Sequence, residues 1–348
     1  MAKLALLVVA VALLVSAAAG VEFAKEDMET DDSLWKLYEL WGARYKVARD
    51  PGEKLRRFAI FKEKVRRIYA FHQVAGDTPL GLNIFADLGD DEVYRDYRCA
   101  RTVVNDVDKN LHATVKRRGE SLPLPVAIDW RTKTCNGQPC LTPVKDQARC
   151  GACWAFAATA ALESHNVIRR NTSLVRLSEQ QLVDCDTMSD GCNGGFAAGA
   201  FEYVRNNGLA SSAAYPYRAW KGTCRARNTS PVDLGMVGFA RVPPYDEYQL
   251  LQAVTNGPVV VPLAIGRNIT FDDYHGGPYR GECGTDIDHE MLLVGYTYGY
   301  YILRNSYGEN WGNKGYMLLP RNTGSLNIKG TCGILMDGAA YPEIESLD

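Results

Sequence analysis

Ten cysteines are spread along this chain of 348 residues, and a hydrophobic leader precedes all of them. In the leader, Lys3 is followed by an uncharged apolar run over 4–15 and then by small residues over 16–20, the pattern of a secretory signal peptide. Three N-x-[ST] glycosylation motifs suit the same compartment, at Asn171, Asn228 and Asn268. Because disulfides persist in that oxidising environment, the cysteines predict a disulfide framework in a protein that enters the secretory pathway.

The charge balance argues against polyanion partners. Lys and Arg number 39 against 41 Asp and Glu. The net charge of −2 therefore provides no positive electrostatic potential that would bind nucleic acid or an anionic membrane. After the leader, no uncharged apolar segment approaches the roughly 20 residues of a membrane span. We therefore expect a soluble protein with neither a nucleic-acid nor a membrane partner, long enough for roughly two domains.

The part of the chain before Leu124 has a helical pattern. Two amphipathic helices are predicted on either side of the Asp-Pro-Gly break at 50–52, the second starting near Glu53. A charged stretch over 98–120 has no apolar face and is interpreted as a linker. Six residues of the second helix share one face: Glu53, Arg57, Phe61, Lys64, Ile68 and His72. On spacing alone this is an ordinary amphipathic helix with a Glu-Arg pair.

After Leu124 the pattern changes from helices to strands. Helices are predicted from Cys153 to about Arg170 and from Leu177 to about Cys185. Beyond about Gly235 the chain favours strands, for example over 258–261 and 300–303. Helices early and strands late predict an α+β fold with two lobes.

The sharpest local pattern is Cys-Gly-Ala-Cys-Trp at 150–154. Cys153 opens a predicted helix, where the helix dipole and a nearby histidinium lower the pKa of a thiol and create a nucleophilic thiolate. His289 follows Cys153 by 136 positions and Asn305 by 152. We expect His289 to act as acid and base, Asn305 to orient its ring, and the Gln147 amide with the Cys153 backbone N–H to hold an oxyanion.

Each of these residues also has a simpler interpretation. The C-x-x-C pair alone fits a redox centre or half a zinc site, but no second such pair accompanies it. His289-Glu290 begins like the zinc motif H-E-x-x-H, yet its fifth residue is Leu293. A solitary His or Asn is usually structural, but the cysteine motif with His289 and Asn305 at these distances resembles the signature of papain-like cysteine proteases, and this resemblance outweighs that view. No metal and no other cofactor is expected.

With these residues in hand, the chain resembles plant-type papain-family cysteine proteases over nearly its whole length. Residues 124–131 resemble the start of the mature enzyme, and 286–289 and 304–312 resemble the segments that carry the base and its orienter. The Cys-Asn-Gly-Gly run at 192–195 resembles the strip whose backbone pairs with an extended substrate. The resemblance implies a papain-like fold, with a helical lobe to about residue 239, a β-barrel-like lobe after it, and the active site between them.

The region before Leu124 resembles the family's inhibitory propeptide. Its helical signature is matched except at Lys64 and His72, which stand where asparagines are usual. Its second motif is matched by Gly81, Asn83, Phe85 and Asp87. The resemblance implies a signal peptide at 1–20, an inhibitory propeptide at 21–123 and a peptidase domain at 124–348.

The resemblance also implies how the cysteines pair. It implies the bridges Cys150–Cys192, Cys185–Cys224 and Cys283–Cys332, and it leaves Cys153 free. Cys135 and Cys140 are additional to the shorter family pattern and can close a small local loop. Cys99 has no assigned partner.

Substrate contacts are implied by the resemblance at Gly194, Gly195, Phe196, Pro262, Ile287, Asp288, Glu290 and Asp337. Apolar walls formed by Phe196, Pro262 and Ile287 favour a hydrophobic side chain at the second residue before the cut. Glu290 and Asp337 are unusual there, and carboxylates at the end of an apolar slot predict that basic side chains are accepted as well. In the alternative interpretation, both carboxylates point into solvent.

Together these features predict a secreted, vacuolar or lysosomal cysteine endopeptidase made as a zymogen, which cleaves protein and peptide substrates through an acyl-enzyme. The resemblance implies a monomer inhibited by its own propeptide and by cystatin-type inhibitors. The alternative from another class is a catalytically weak homologue that serves as a binding or storage protein. Its support is Tyr307, where the family has tryptophan, and Glu290, where a small residue is usual. A released pro-region acting as an inhibitor is compatible with the enzyme.

Overall fold

The computed structural model describes residues 21–74, 79–98, 113–115, 123–321, 327–336 and 338–347. The predicted signal peptide, Cys99, the basic run at 116–118 and Asp337 lie outside these ranges.

Three helices form the described pro-region: α1 (Asp31–Tyr45), α2 (Pro51–Val74) and α3 (Asp90–Tyr97). The predicted break between the first two is confirmed, and α2 begins at Pro51 because proline suits the first turn of a helix. Helices α1 and α2 enclose a small core of their own, in which Trp41 is fully buried and donates from Nε1 to the Asn83 carbonyl at 2.7 Å.

The polar face of α2 is more than an ordinary amphipathic face, because it holds a buried cation. Arg57 is 2% exposed and pairs with Glu53 at 2.9 Å and with Glu92 at 2.6 Å. Its Nη1 also donates to the Asp87 carbonyl at 3.3 Å, and Arg49 pairs with the Asp87 carboxylate at 2.8 Å. The signature residues of α2 therefore fix the extended segment that follows it to the pro-region helices.

Among the described residues after Leu124, the α-helices are α4 (Cys153–Arg170), α5 (Glu179–Cys185), α6 (Ala197–Asn207), α7 (Glu247–Thr255) and α8 (Ile269–Asp272). The two helices predicted from the sequence, α4 and α5, are confirmed within two residues. Ser178 caps α5 by accepting from the Gln181 backbone N–H at 3.0 Å. Helix α4 is rich in alanine and almost entirely buried, which lets it pack closely against the sheet.

The strands are β1 (Ala113–Val115), β2 (Ile128–Asp129), β3 (Thr134–Cys135), β4 (Gln138–Pro139), β5 (Met236–Arg241), β6 (Val259–Leu263), β7 (His289–Tyr296), β8 (Tyr300–Arg304), β9 (Tyr316–Pro320) and β10 (Ala340–Ile344). One sheet has the order β1-β5-β10-β6-β7-β8-β9, with β2 paired to β7, and β3 pairs with β4 separately. The predicted strands over 258–261 and 300–303 correspond to β6 and β8. The predicted α+β class is confirmed.

Four disulfides connect described residues: Cys135–Cys140, Cys150–Cys192, Cys185–Cys224 and Cys283–Cys332. The three bridges implied by the family resemblance are confirmed, and so is the small loop closed by the additional pair. Helix α4 packs against β7, and the Glu290 backbone N–H donates to Cys153 Sγ at 3.3 Å, so the first residue of the helix, Cys153, lies beside the first residue of the strand, His289.

Candidate active site

The segment before α4 brings Cys153 to the start of a helix of 18 residues. The Gly151 backbone N–H donates to the Cys192 carbonyl at 2.9 Å, beside the Cys150–Cys192 bridge. A Cβ on Gly151 would lie 2.5 Å from the carbonyl oxygens of both Cys192 and Arg98, so no larger residue fits there. The positive end of the α4 dipole is therefore directed at Cys153, as a low-pKa thiol requires.

The predicted free thiol at Cys153 is wrong for this form of the protein, because Cys153 is disulfide-bonded. None of the described cysteines is free, and the other eight pair with one another. The count of the sequence leaves Cys99 as the remaining cysteine, and it lies outside the described residues. A sulfur held in a disulfide cannot act as a nucleophile, so this form is chemically blocked.

His289 and Asn305 are joined by a direct hydrogen bond. The His289 Nε2 lies 2.9 Å from the Asn305 Oδ1, which also accepts from the Ser306 backbone N–H at 2.8 Å. Since that oxygen can only accept, Nε2 carries the proton. The other nitrogen, Nδ1, is buried and has no hydrogen-bond partner among the described residues. This arrangement leaves the Nδ1 lone pair available for proton transfer.

In this form the His289 imidazole is neutral. Burial first, and then the positive charge of Arg98, lower its pKa to about 3, while the bond to Asn305 acts in the opposite direction. A thiolate–imidazolium pair needs the protonated ring, so Arg98 of the pro-region opposes formation of that pair.

Gln147 lies beside the start of α4 and is fully buried. Its Nε2 donates to the Tyr97 carbonyl at 3.0 Å and to the Cys150 carbonyl at 2.9 Å, and its Oε1 accepts from Ser306 Oγ at 2.5 Å. The Gln147 side-chain amide, which the sequence predicts to bind the oxyanion, therefore already donates to a carbonyl of the pro-region.

Tyr307 lies over the imidazole and is also fully buried. Its ring centroid is 5.2 Å from that of His289. Its hydroxyl accepts from Arg98 Nη1 at 2.7 Å and donates to the Tyr97 carbonyl at 3.2 Å. The tyrosine thus covers the ring as an aromatic residue should, and its hydroxyl is satisfied by the pro-region.

Backbone conformation and close packing require glycine at the two glycines of the Cys-Asn-Gly-Gly run, Gly194 and Gly195. Gly194 has a φ of 125°, a region that favours glycine. A Cβ on Gly195 would lie 2.5 Å from Ser189 Oγ and 2.7 Å from the Trp154 ring. Both glycines are therefore required by the fold, whatever binds above them.

Glu290 points into the protein, so the alternative in which it points into solvent is wrong. It is 4% exposed, and its carboxylate accepts from the Ala197 backbone N–H, at 3.1 Å for the nearer oxygen. Pro262 is its partner across β6 and β7, and Phe196 immediately precedes α6. Burial raises the pKa of Glu290 to about 8, although the bond from Ala197 opposes this.

The remaining predicted substrate contacts have different environments. Asp288 is buried and accepts from the backbone N–H groups of Ile265 and Gly266, each at 2.8 Å. Its carboxylate therefore holds a loop of the cleft wall. Ile287 is half-buried, and Asp337 lies outside the described residues.

The acidic pair at the end of α8, Asp272 and Asp273, was not predicted from the sequence. Asp272 pairs with Arg98 at 2.5 Å, and Asp273 pairs with Lys64 at 3.1 Å, all four side chains being buried. The only sequence signal was two adjacent carboxylates within an aromatic segment, and Lys64 at an unusual position of the α2 signature. These pairs attach the pro-region to the cleft.

The pro-region carries a carboxylate whose pKa is strongly perturbed. Burial alone would raise the pKa of Glu92, but its ion pair with Arg57 outweighs burial and lowers it to about 2. A carboxyl whose pKa is lower in the folded state stabilises that state above its ordinary value of 4.5, and this contribution is lost as the pH falls from there toward 2.

We therefore expect Glu92→Gln to lower the melting temperature of the intact precursor at pH 7, and the deficit relative to the wild type to shrink below pH 4.5. Thermal unfolding followed across this pH range checks the expectation. Glu63→Gln, the same change on the exposed face of α2, is the control and should have little effect. A deficit that stays constant down to pH 2 would contradict this role of the ion pair.

Within the described ranges, no helix is long and apolar enough to cross a membrane. The same part of the chain contains no group of three or more His, Cys, Asp or Glu side chains placed to hold a metal ion.

Comparison with known proteins identifies the family. Residues 124–342 match the papain family of cysteine proteases, and residues 38–93 match the cathepsin propeptide inhibitor domain. The chain therefore belongs to the papain family of cysteine proteases, and it is made as a proform with a propeptide. The family is an enzyme family, which favours the protease over the binding or storage protein.

Individual relatives are similar to this chain over nearly its whole length. It is 40% identical to the thiol protease SEN102 of Hemerocallis sp., with 97% of this chain and 94% of the relative covered. It is also 40% identical to the cysteine proteinase EP-B 1 of Hordeum vulgare, with 97% and 93% covered. Among solved structures, the proform of the ragweed pollen cysteine protease Amb a 11 has a TM-score of 0.77 at 33% identity, covering 94% of this chain and 97% of its own. The recombinant stem bromelain precursor has a TM-score of 0.76 at 36% identity, covering 90% and 99%.

Proposed function

We propose that this protease cleaves peptide bonds with Cys153 as its nucleophile. The Cys153 thiolate attacks the carbonyl carbon of the scissile bond, and the resulting oxyanion accepts from Gln147 Nε2–H and the Cys153 backbone N–H. The His289 imidazolium then protonates the leaving amine, the C–N bond breaks, and a thioester remains on Cys153.

The second half of the reaction returns the enzyme to its starting state. Neutral His289 takes a proton from water, the hydroxide attacks the thioester, and the C–S bond breaks to release the acid and the thiolate. Asn305 positions the ring throughout by accepting from Nε2 at 2.9 Å. Turnover requires that Cys153 be reduced and that Arg98 have left the cleft.

The single observation that carries this proposal is the Tyr97 carbonyl on Gln147 Nε2 at 3.0 Å. A peptide carbonyl at that amide, next to the start of α4, has the position that a bound substrate carbonyl would need. Because this carbonyl belongs to the pro-region, the same contact explains why the precursor is inhibited by its own chain. We propose residues 21–123 as the inhibitory propeptide and 124–348 as the peptidase domain.

Our proposal for the substrate-binding residues of the protease keeps part of the sequence prediction. Gly194 and Gly195 would pair with the substrate backbone, and Phe196, Pro262 and Ile287 would form apolar walls. Glu290 is buried against the Ala197 backbone N–H with its pKa raised to about 8, so acceptance of basic side chains there remains a sequence prediction. Asp337 remains a sequence prediction.

The compartment is proposed from the leader and the glycosylation motifs. Asn171 and Asn228 are exposed, whereas the Asn268 side chain caps α8 by accepting from the Thr270 backbone N–H at 2.9 Å. We propose glycans on the two exposed sites, entry into the secretory pathway, and a final location outside the cell or in the vacuole or lysosome. A monomer sensitive to cystatin-type inhibitors completes the proposal.

The proposal is tested with a mechanism-based thiol-protease probe on the reduced, acid-processed protein. We expect one equivalent of label on Cys153, located by peptide mapping, and loss of peptide hydrolysis in step with labelling. Denatured processed protein is the control and should not react, because the probe requires the assembled site. Hydrolysis that survives complete labelling of Cys153 would overturn the assignment.

A further inference from the structure

The side chain of Arg98 lies in a site built by residues of the peptidase. Its Nη2 contacts the Asp272 carboxylate at 2.5 Å, its Nη1 donates to the Tyr307 hydroxyl at 2.7 Å, and its guanidinium carbon lies 4.8 Å from the centre of the Phe271 ring. Arg98 is 6% exposed and Asp272 is 2% exposed. A carboxylate, a hydroxyl and an aromatic face are the three partners that suit a planar guanidinium.

These three partners remain when the pro-region leaves, since all of them follow Leu124. Phe271 and Asp272 belong to α8, and Trp311 buttresses Phe271 from one side, with the ring centroids 5.1 Å apart. Tyr307 is held among aromatic rings of the same wall. Removal of the pro-region therefore exposes a carboxylate that has lost its cation.

The site adjoins the ring that delivers the proton to the leaving amine. The ring centroids of Phe271 and Tyr307 lie 5.6 Å and 5.2 Å from that of His289. In the proposed reaction the amine protonated by His289 belongs to the residue just after the scissile bond. A side chain of that residue thus starts next to the wall formed by Phe271, Asp272 and Tyr307.

We propose that Asp272, Tyr307 and Phe271 form a guanidinium-binding subsite in the processed enzyme, which selects substrates with arginine immediately after the scissile bond. The inference rests on the proposed role of His289. A neutral side chain would cover Asp272 without providing a counter-charge, and lysine cannot contact the carboxylate and the hydroxyl with two nitrogens of one plane. We expect arginine to be favoured over leucine by about 10- to 100-fold in kcat/KM, the range of a charge-assisted hydrogen bond.

The neighbouring carboxylate is the competing explanation for such a preference. Asp273 is paired with Lys64 at 3.1 Å and lies 3.5 Å from Arg67, both on α2. It therefore faces the pro-region helix, whereas Asp272 shares its cation with Tyr307 beside His289. A substitution at Asp272 separates the two.

The experiment uses internally quenched peptides that differ only after the scissile bond, with arginine, citrulline, lysine or leucine there. Citrulline has nearly the shape of arginine without its charge. The ratio of kcat/KM for arginine to that for leucine is measured in wild type, Asp272→Asn, Tyr307→Phe and Asp286→Asn, each titrated by the thiol probe. Asp286 is exposed and provides the same charge change outside the site.

We expect the arginine-to-leucine ratio to fall at least tenfold in Asp272→Asn, to fall less in Tyr307→Phe and to stay at the wild-type value in Asp286→Asn. Wild type should also prefer arginine to citrulline. An arginine-to-leucine ratio near one in wild type would by itself overturn the proposed subsite. An unchanged ratio in Asp272→Asn would overturn it as well. If wild type is not labelled on Cys153, the proposed function fails instead, so the two failures are distinguishable.

Discussion

Precursor purified without reductant is expected to contain no free thiol at Cys153. Denatured in the presence of a thiol-alkylating reagent, it should leave Cys153 unmodified, whereas reduction before alkylation should modify it completely. The reason is that Cys153 is disulfide-bonded in the precursor and every other described cysteine is paired. Denaturation is needed because Cys153 is fully buried, so that shielding by the pro-region cannot be mistaken for a disulfide. Mass spectrometry of the peptides measures the modified fraction.

The second sulfur can be identified in the same experiment. The sequence leaves Cys99 as the one cysteine without another partner, so Cys99→Ser is expected to make Cys153 fully reactive without reductant. The control removes the small-loop bridge, with Cys135 and Cys140 both changed to Ser, and should leave Cys153 unreactive. Complete alkylation of Cys153 in the unreduced wild-type precursor would refute the blocked state.

Cys153→Ser and His289→Ala are each expected to lower kcat/KM by about 10⁴-fold or more in the processed enzyme. The serine hydroxyl is not deprotonated at the pH of the assay, so it is a poor nucleophile. Without the imidazole, the leaving amine departs unprotonated. Because the two groups act as one unit, the double variant should be no slower than the worse single variant. The variants are processed by an unrelated protease that is then inactivated, and hydrolysis is followed with a fluorogenic peptide.

The control for these variants is a second buried histidine. His165 is 2% exposed and lies 2.9 Å from the Pro258 carbonyl, away from the cleft. His165→Gln should retain activity once its concentration is corrected for the folded fraction. If losses in the two single variants multiply in the double variant, Cys153 and His289 act independently and the proposed mechanism is wrong.

Several elements could be predicted because their signals are local. The alanine-rich run after Cys153 predicted α4, and the β-branched run before Leu263 predicted β6. The Cys-Gly-Ala-Cys-Trp motif, with the distances to His289 and Asn305, selected the residues that the fold brings together. They come together because α4, which begins with the nucleophile, packs closely on β7, which begins with the base. The small residues next to the nucleophile permit this close packing.

Other features depended on contacts between distant parts of the chain. Nothing near Glu290 indicates whether its carboxylate meets solvent or the start of α6, and that choice follows from the pairing of β7 with β6 beneath α6. Lys64 departs from the α2 signature, and only the fold shows its ion pair with Asp273. A buried ion pair across two elements has no periodicity, so the sequence pattern contains no trace of it.

By itself, the sequence predicted the α+β class from its order of helical and strand patterns, and its resemblance to the papain family implied three of the bridges and the candidate catalytic residues. Only the tertiary structure decided what state those residues are in. Arg98 and Asp272 are 174 positions apart, yet their contact and the covering of Gln147 by Tyr97 convert a protease cleft into an inhibited one. The physical reason is that charge and burial at a site depend on what the fold places against it, and the folded pro-region places a cation, a carbonyl and an aromatic cover there.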